Sequence, residues 1–420
     1  MCTRAERRVR HGVMRVPSPA SAIGVIGYVA LLAAGYAYNL TFVQLGLSAL
    51  ASGPVGLSEA GTALAMAALA AVTCLVALIA GTQLRGASFR AKLRATTLVV
   101  AVQTVLTAVV PAVDGPVTFW PWLLLAAVTL GLGVPASFGM ATDLVPVRWR
   151  GMTAAAITAF AYGGAIAFLG EWDVLVLAGR LVPAMILGTI GLLVLALGGA
   201  PVSRLVEQLS RQAARPEYGR GRFAGPGADR RLVIAAGLLF AVFFVDSLGF
   251  MRLIESPFVT AAWQSYDLLD RAALIAAHVA GALAGGILYS TFDERFLLPW
   301  VFGIFALVAM IYVLDVRLGA YSQALAMSIL YAVAVSLYTV ITFALWPDLS
   351  TPDTITRNVA IGVAVSGWTA TFVSTAVALA WRSSGVDFDR HLSSVAAVSL
   401  LVLAALGSRA LLRAAPRADP

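Results

Sequence analysis

Long apolar runs alternate with short polar islands along the whole chain. The runs fall near 22–46, 60–82, 95–113, 120–142, 152–171, 174–198, 232–254, 272–291, 297–315, 322–345, 358–381 and 392–412. A bilayer core of about 30 Å asks for about 20 apolar residues at 1.5 Å rise, and these runs have that length. Nowhere is a strand-like alternation sustained. Backbone groups in lipid must be satisfied within the segment, so the pattern predicts helices. The expected fold is an all-α integral membrane protein with twelve transmembrane helices.

The runs form two sets of six. The predicted layout is an N-terminal tail (1–21), a six-helix bundle (22–199), a linker (200–231), a second six-helix bundle (232–412) and a C-terminal tail (413–420). The linker holds Pro201, Pro216 and Pro226 together with seven arginines, Arg222 among them. It reads equally as a partly helical segment on an anionic lipid face or as a solvated tether. At an offset of about 207 residues Asn39 falls on Asp246 and Arg150 on Arg357, a weak sign of two related halves.

Composition excludes a soluble domain. The chain is 60% hydrophobic and 12% charged, where a soluble domain carries about 25% charged residues. The net charge of +8 does not point to nucleic acid, because the charges sit in loops between apolar runs. They gather in the N-terminal tail, the 2–3 loop (Arg85, Arg90, Lys92, Arg94), the 4–5 loop (Arg148, Arg150) and the linker. That bias places both termini in the cytoplasm. Abundant arginine and alanine, with Lys92 the single lysine, fit a prokaryotic plasma membrane.

Catalytic chemistry finds no support. Cys2 and Cys74 do not pair plausibly, and no metal-ligand spacing, nucleophile–base set or phosphate loop is present. The chain is expected to be a monomer with no enzyme activity, cofactor or metal, in contact with membrane lipid and a small-molecule solute. No protein partner is indicated.

The 4–5 loop reads Asp143-Leu-Val-Pro146-Val-Arg-Trp-Arg150-Gly151. This Asp-x-x-Pro-x-x-x-Arg-Gly pattern, between a fourth and a fifth span, resembles the corresponding loop of major facilitator superfamily transporters. The 2–3 loop, Gly81-Thr-Gln-Leu-Arg85-Gly86 with Arg90 beyond it, resembles the basic loop motif of the same superfamily. It departs in having Arg85 where the motif has Asp and Gly86 where it has Arg. The 8–9 loop keeps acids beside a base in Asp293-Glu294-Arg295. The resemblance implies two pseudo-symmetric bundles around a mid-membrane site and transport by alternating access. It also implies a switching role for the loop residues Arg85, Arg90, Asp143, Pro146, Arg150, Gly151, Asp293, Arg295 and Arg357. Other members of this fold act as assembly or chaperone factors, and lipid translocation is a third reading. It would show as lateral openings between the halves.

Charges inside spans are costly, about 2.5–3.5 kcal/mol at the centre on insertion scales, so each asks for a partner or a role. Asp246 in the seventh run is the first candidate for proton coupling. His278, at a similar depth in the eighth, could share a proton with it. The resemblance places the first, tenth and eleventh spans at the cavity. Tyr36, Asn39, Gln44, Tyr331, Tyr338 and Trp368 on those spans are expected to line an aromatic, sparsely charged cavity suited to a neutral or amphipathic organic solute.

Overall fold

The computed structural model describes residues 19–168, 173–254, 267–291, 297–318 and 324–414. Asp293 and Arg295 lie outside the described residues. Among the described residues there is no strand, and twelve long helical segments follow one another.

The first half holds six. α1 runs Pro19–Tyr38, continues in wide π-helical turns over Asn39–Gly46 and ends at Leu47–Ser52. Then come α2 (Glu59–Gln83), α3 (Phe89–Ala108), α4 (Pro116–Phe138), α5 (Arg150–Phe168) and α6 (Val174–Leu197). A linker helix, Ala200–Ser210, leads towards the second half. There follow α7 (Ala228–Leu253), α8 (Leu268–Thr291), α9 (Leu297–Leu318) and α10 (Ala324–Asp348). α11 starts at Ile355–Val359, takes π-helical turns over Ala360–Thr369 and ends as Ala370–Ser383. α12 is Phe388–Ala414. Nine of these segments are long and apolar enough to cross a membrane by composition alone. α3 falls short because Arg90, Lys92 and Arg94 open it.

Local chemistry fixes the helix starts. Ser58, Ser88 and Asp173 accept backbone N–H bonds at the first turns of α2, α3 and α6, satisfying donors that a helix start leaves open. Lipid sets the outer surface: α6 buries only Val174, Leu177 and Ala178 among its residues, and Leu187 and Leu197 lie bare. With the same apolar medium outside, close packing rather than burial holds such helices together.

The halves meet chiefly along α5, which packs on α8 and α10, and along α2, which packs on α11. Gly151 and Gly286 make the α5–α8 approach possible. A Cβ on Gly286 would lie 2.8 Å from the Ala155 Cβ, and one on Gly151 would lie 3.0 Å from the Gly286 carbonyl oxygen. The linker face is the end of the bundle that carries the linker, and the far face is the other end.

Candidate functional site

A cavity of about 80 Å³ lies between the halves, walled by Thr41 and Gln44 of α1, Tyr162 and Ile166 of α5, Asp246 and Phe250 of α7, and Tyr331 of α10. It sits towards the far face, with Asp246 about 10 Å along the axis from Leu253 at the end of α7. Asp246 is half-buried, and α10 supplies its partners. Tyr331 donates to Oδ1, and Tyr338 donates to Oδ2 at 2.5 Å. Tyr331 and Tyr338 are seven apart, two helical turns, and so share the face turned to α7. Gln44 donates to Ser247 Oγ at 3.4 Å, from α1 to α7.

An aromatic seam closes the space on the linker side. Tyr36 packs against Tyr162, Phe343 and Trp368 at 5.8, 5.1 and 5.3 Å between ring centroids, and Phe138 stacks on Phe343 at 5.4 Å. Every one of these contacts except Tyr36–Tyr162 crosses from one half to the other. Tyr162 also stacks on His278, at 4.4 Å.

Nearer the linker face the closure is ionic. Asp348, at the end of α10, is fully buried. It accepts from Arg150 Nη1 at 3.1 Å, Arg222 Nε at 2.6 Å and the Tyr289 hydroxyl at 3.0 Å. Arg150 also donates to the carbonyls of Pro347 and Tyr218, at 2.7 and 2.6 Å. Burial works against the charge on Arg222, but Tyr289 and Asp348 outweigh it and hold the guanidinium above its ordinary pKa. The guanidinium also lies over the Tyr289 ring, 4.5 Å from its centroid. The linker is therefore no tether at its second half. Gly221 and Phe223 donate backbone bonds to Ser350 and Asp348, at 2.9 and 2.8 Å. A Cβ on Gly221 would meet the Asp348 carbonyl oxygen at 2.3 Å, so only glycine fits there.

No protein-family model matches the chain, and no curated protein sequence matches it. Solved structures do. The chain is similar to a bacterial homologue of the iron transporter ferroportin in an outward-facing state, at 14% identity and a TM-score of 0.64, over 93% of this chain and 99% of that one. It is similar to a proton:xylose symporter, at 12% identity and 0.58, over 92% and 96%. It is also similar to the human organic anion transporter MFSD10, at 12% and 0.56, over 93% and 100%. The fold is that of the major facilitator superfamily.

Within this facilitator fold the sequence candidates separate into groups. Gln44, Asp246 and Tyr331 meet at the cavity, with Tyr338 beneath Asp246. Tyr36, Asn39 and Trp368 instead line a second space of about 60 Å³ shared with α3 and α4, and Asn39 donates to the Gly35 carbonyl of its own helix at 2.8 Å. His278 bonds Ser336 Oγ through Nδ1 at 2.9 Å, while Tyr162 stands between its ring and the cavity. A direct Asp246–His278 pair is not formed.

The loop candidates separate too. Asp143 takes Lys92 Nζ at 2.7 Å, both groups buried. Pro146 ends the turn after α4 and precedes Val147, whose N–H bonds the Glu217 carbonyl at 2.8 Å. Arg90 reaches Ser203 of the linker helix at 3.1 Å, and Arg357 pairs with Asp229 at 2.9 Å near the surface. Arg85 follows the end of α2, and its side chain makes no ion pair among the described residues.

Sequence reasoning passed over Asp348, Arg222, Tyr289 and the pairing of Lys92. A signal existed for the first: Asp143-Leu144 closes the fourth run and Asp348-Leu349 the tenth, each followed by a proline and an arginine. A further space of about 1410 Å³ lies inside the first half and not between the halves, bounded by α1, α3, α5 and α6, with Arg180 in its lining.

Proposed function

We propose that the chain is a secondary transporter of a small organic solute, working by alternating access, with proton coupling at Asp246. The single observation carrying this reading is the Asp246 cavity: it lies between the halves, towards one face, with a closure of aromatic and ionic contacts beneath it. Facilitator-fold neighbours described as a proton:xylose symporter and an iron transporter homologue support transport in general. The basic linker supports placing the linker face in the cytoplasm, so this conformation is closed inward.

The test is reconstitution. A thermal-stability screen against metabolites finds a solute, and proteoliposomes then measure its accumulation under a pH gradient. Accumulation in the native protein that is lost in Asp246→Asn supports the reading. Unchanged pH-driven uptake in that variant removes Asp246 from the mechanism. A stoichiometric membrane partner on purification, with no solute response, turns the reading to an assembly factor.

A further inference from the structure

The Asp246 wall lacks something that its chemistry asks for. Two hydroxyl donors, from Tyr331 and Tyr338, face the two carboxylate oxygens. Hydroxyl donors on both oxygens solvate the ionised form, so the site is built to hold a negative charge within the membrane. Among the described residues, no Lys, Arg or His lines the cavity. A charge in a medium of low dielectric constant needs a counter-charge, and the described residues supply none at this wall.

What surrounds the carboxylate is aromatic. Phe250 and Tyr162 line the cavity with Tyr331, Phe250 stacks on Tyr331 at 6.0 Å, and Phe243 sits edge-on to Tyr338 at 4.8 Å. Ring faces attract cations, and the attraction strengthens where water is excluded. An anion would meet Asp246 as a like charge, and a neutral solute would leave the carboxylate uncompensated.

The other titratable groups around Asp246 do not replace the missing cation. α1 offers Tyr36, α5 Tyr162 and α10 Tyr331 and Tyr338, all neutral phenols beside the carboxyl. On α9, Tyr312 approaches Tyr331. On α8, His278 is separated by the Tyr162 ring. On α12, His391 faces the Leu248 carbonyl at 2.7 Å. Arg252, on α7 itself, reaches towards Val386 and the Phe388 ring.

We infer that the solute is a small organic cation, an aminium carrying an apolar or aromatic body, which binds the Asp246 carboxylate in exchange for a proton. This rests on the transport reading above and names its substrate class. The exchange balances: a proton leaves the Asp246 carboxyl for the far-face solution, and the N–H of the aminium takes its place as donor and counter-charge. The same carboxyl cannot hold both, so the two cross in opposite directions.

The experiment uses purified full-length protein and three probes of one shape: phenethylammonium, 2-phenylethanol and phenylacetate. Phenethylammonium is expected to raise the melting temperature and to bind about tenfold or more tightly than the alcohol, the scale of one charge-assisted hydrogen bond, with phenylacetate inert. Its affinity is expected to rise with pH, as the proton yields the carboxylate. Asp246→Asn should lose that preference, and Tyr338→Phe, which keeps the carboxyl, should reduce it by a smaller factor. Equal binding of the alcohol, or cation affinity unaffected by both pH and Asp246→Asn, overturns the inference. The transport reading fails separately. A neutral solute from the broader screen whose counterflow survives in Asp246→Asn, while its pH-driven accumulation is lost, sinks the cation and leaves the transporter standing.

Discussion

Arg150 and Asp348 face each other at 3.1 Å across the two halves, each almost wholly out of contact with solvent. One starts α5 and the other ends α10, 198 residues apart. Their pairing makes the linker face a closed end. Removing one partner of a buried pair leaves the other charge uncompensated, at a cost of about 3–5 kcal/mol. Arg150→Ala is therefore expected to lower the melting temperature and to open the linker face. A cysteine placed at Thr356, buried against the Gly81 carbonyl of the other half, should react with a maleimide faster in Arg150→Ala than in the parent. Replacing both partners by apolar residues, as Arg150→Met with Asp348→Leu, should restore part of the stability. No recovery in the double variant would mean that Asp348 depends mainly on Arg222 and Tyr289.

The linker enters the same network. Arg222 donates to Asp348 at 2.6 Å, and Gly221 touches its backbone. Gly221→Ala forces a Cβ into the Asp348 carbonyl, so residues 217–223 must lift from the bundle. Arg222→Gln removes the charge without adding bulk. Both variants are expected to make the linker a site of rapid proteolytic cutting, yielding two fragments of roughly half length. Cutting at the parent rate would show that this segment stays seated without its ionic contact.

The architecture was legible in the sequence and this closure was not. A bilayer demands a long apolar run for every crossing, so hydropathy alone exposes the helices. The π-helical turns in α1 and α11 leave no such trace, because they alter hydrogen-bond spacing without altering polarity. Asp246 stands out as a charge in an apolar run, while Tyr331 and Tyr338 are legible only as expected wall residues of the tenth span. Asp348 passed as an ordinary helix-end acid, since its partners lie 59, 126 and 198 residues away. Similar depth on neighbouring helices suggests that His278 could share a proton with Asp246. Depth fixes height only, and the Tyr162 ring occupies the space between.

Gly286 tests whether α5 and α8 must approach this closely. A valine there meets the Ala155 side chain and the Gly151 backbone, an overpacking that costs about 1–3 kcal/mol. Because the contact joins the halves, the strain falls on the closed linker face and not on either bundle. Gly286→Val is expected to retain a folded, monodisperse protein while raising maleimide labelling at Thr356→Cys. Aggregation on purification would instead place the strain inside α8's own bundle.

Among the described residues the two faces are held unequally. On the far face Glu59, at the start of α2, accepts from Arg382, near the end of α11, at 2.5 Å, with side chains 35% and 43% exposed. An ion pair this wet is worth about 0–1 kcal/mol. The linker face has a buried acid with three donors, so opening should favour the far side at rest. Glu59→Gln should shift the melting temperature little, by no more than that small free energy implies. It should also raise access of a water-soluble thiol reagent to a cysteine placed at Ile166 in the cavity wall. Raising salt from 0.05 to about 1 M should do the same to the native protein, since exposed pairs are screened and buried ones are not. Labelling at Ile166→Cys that ignores both salt and Glu59→Gln would mean that packing along α2 and α11, not this pair, keeps the far face shut.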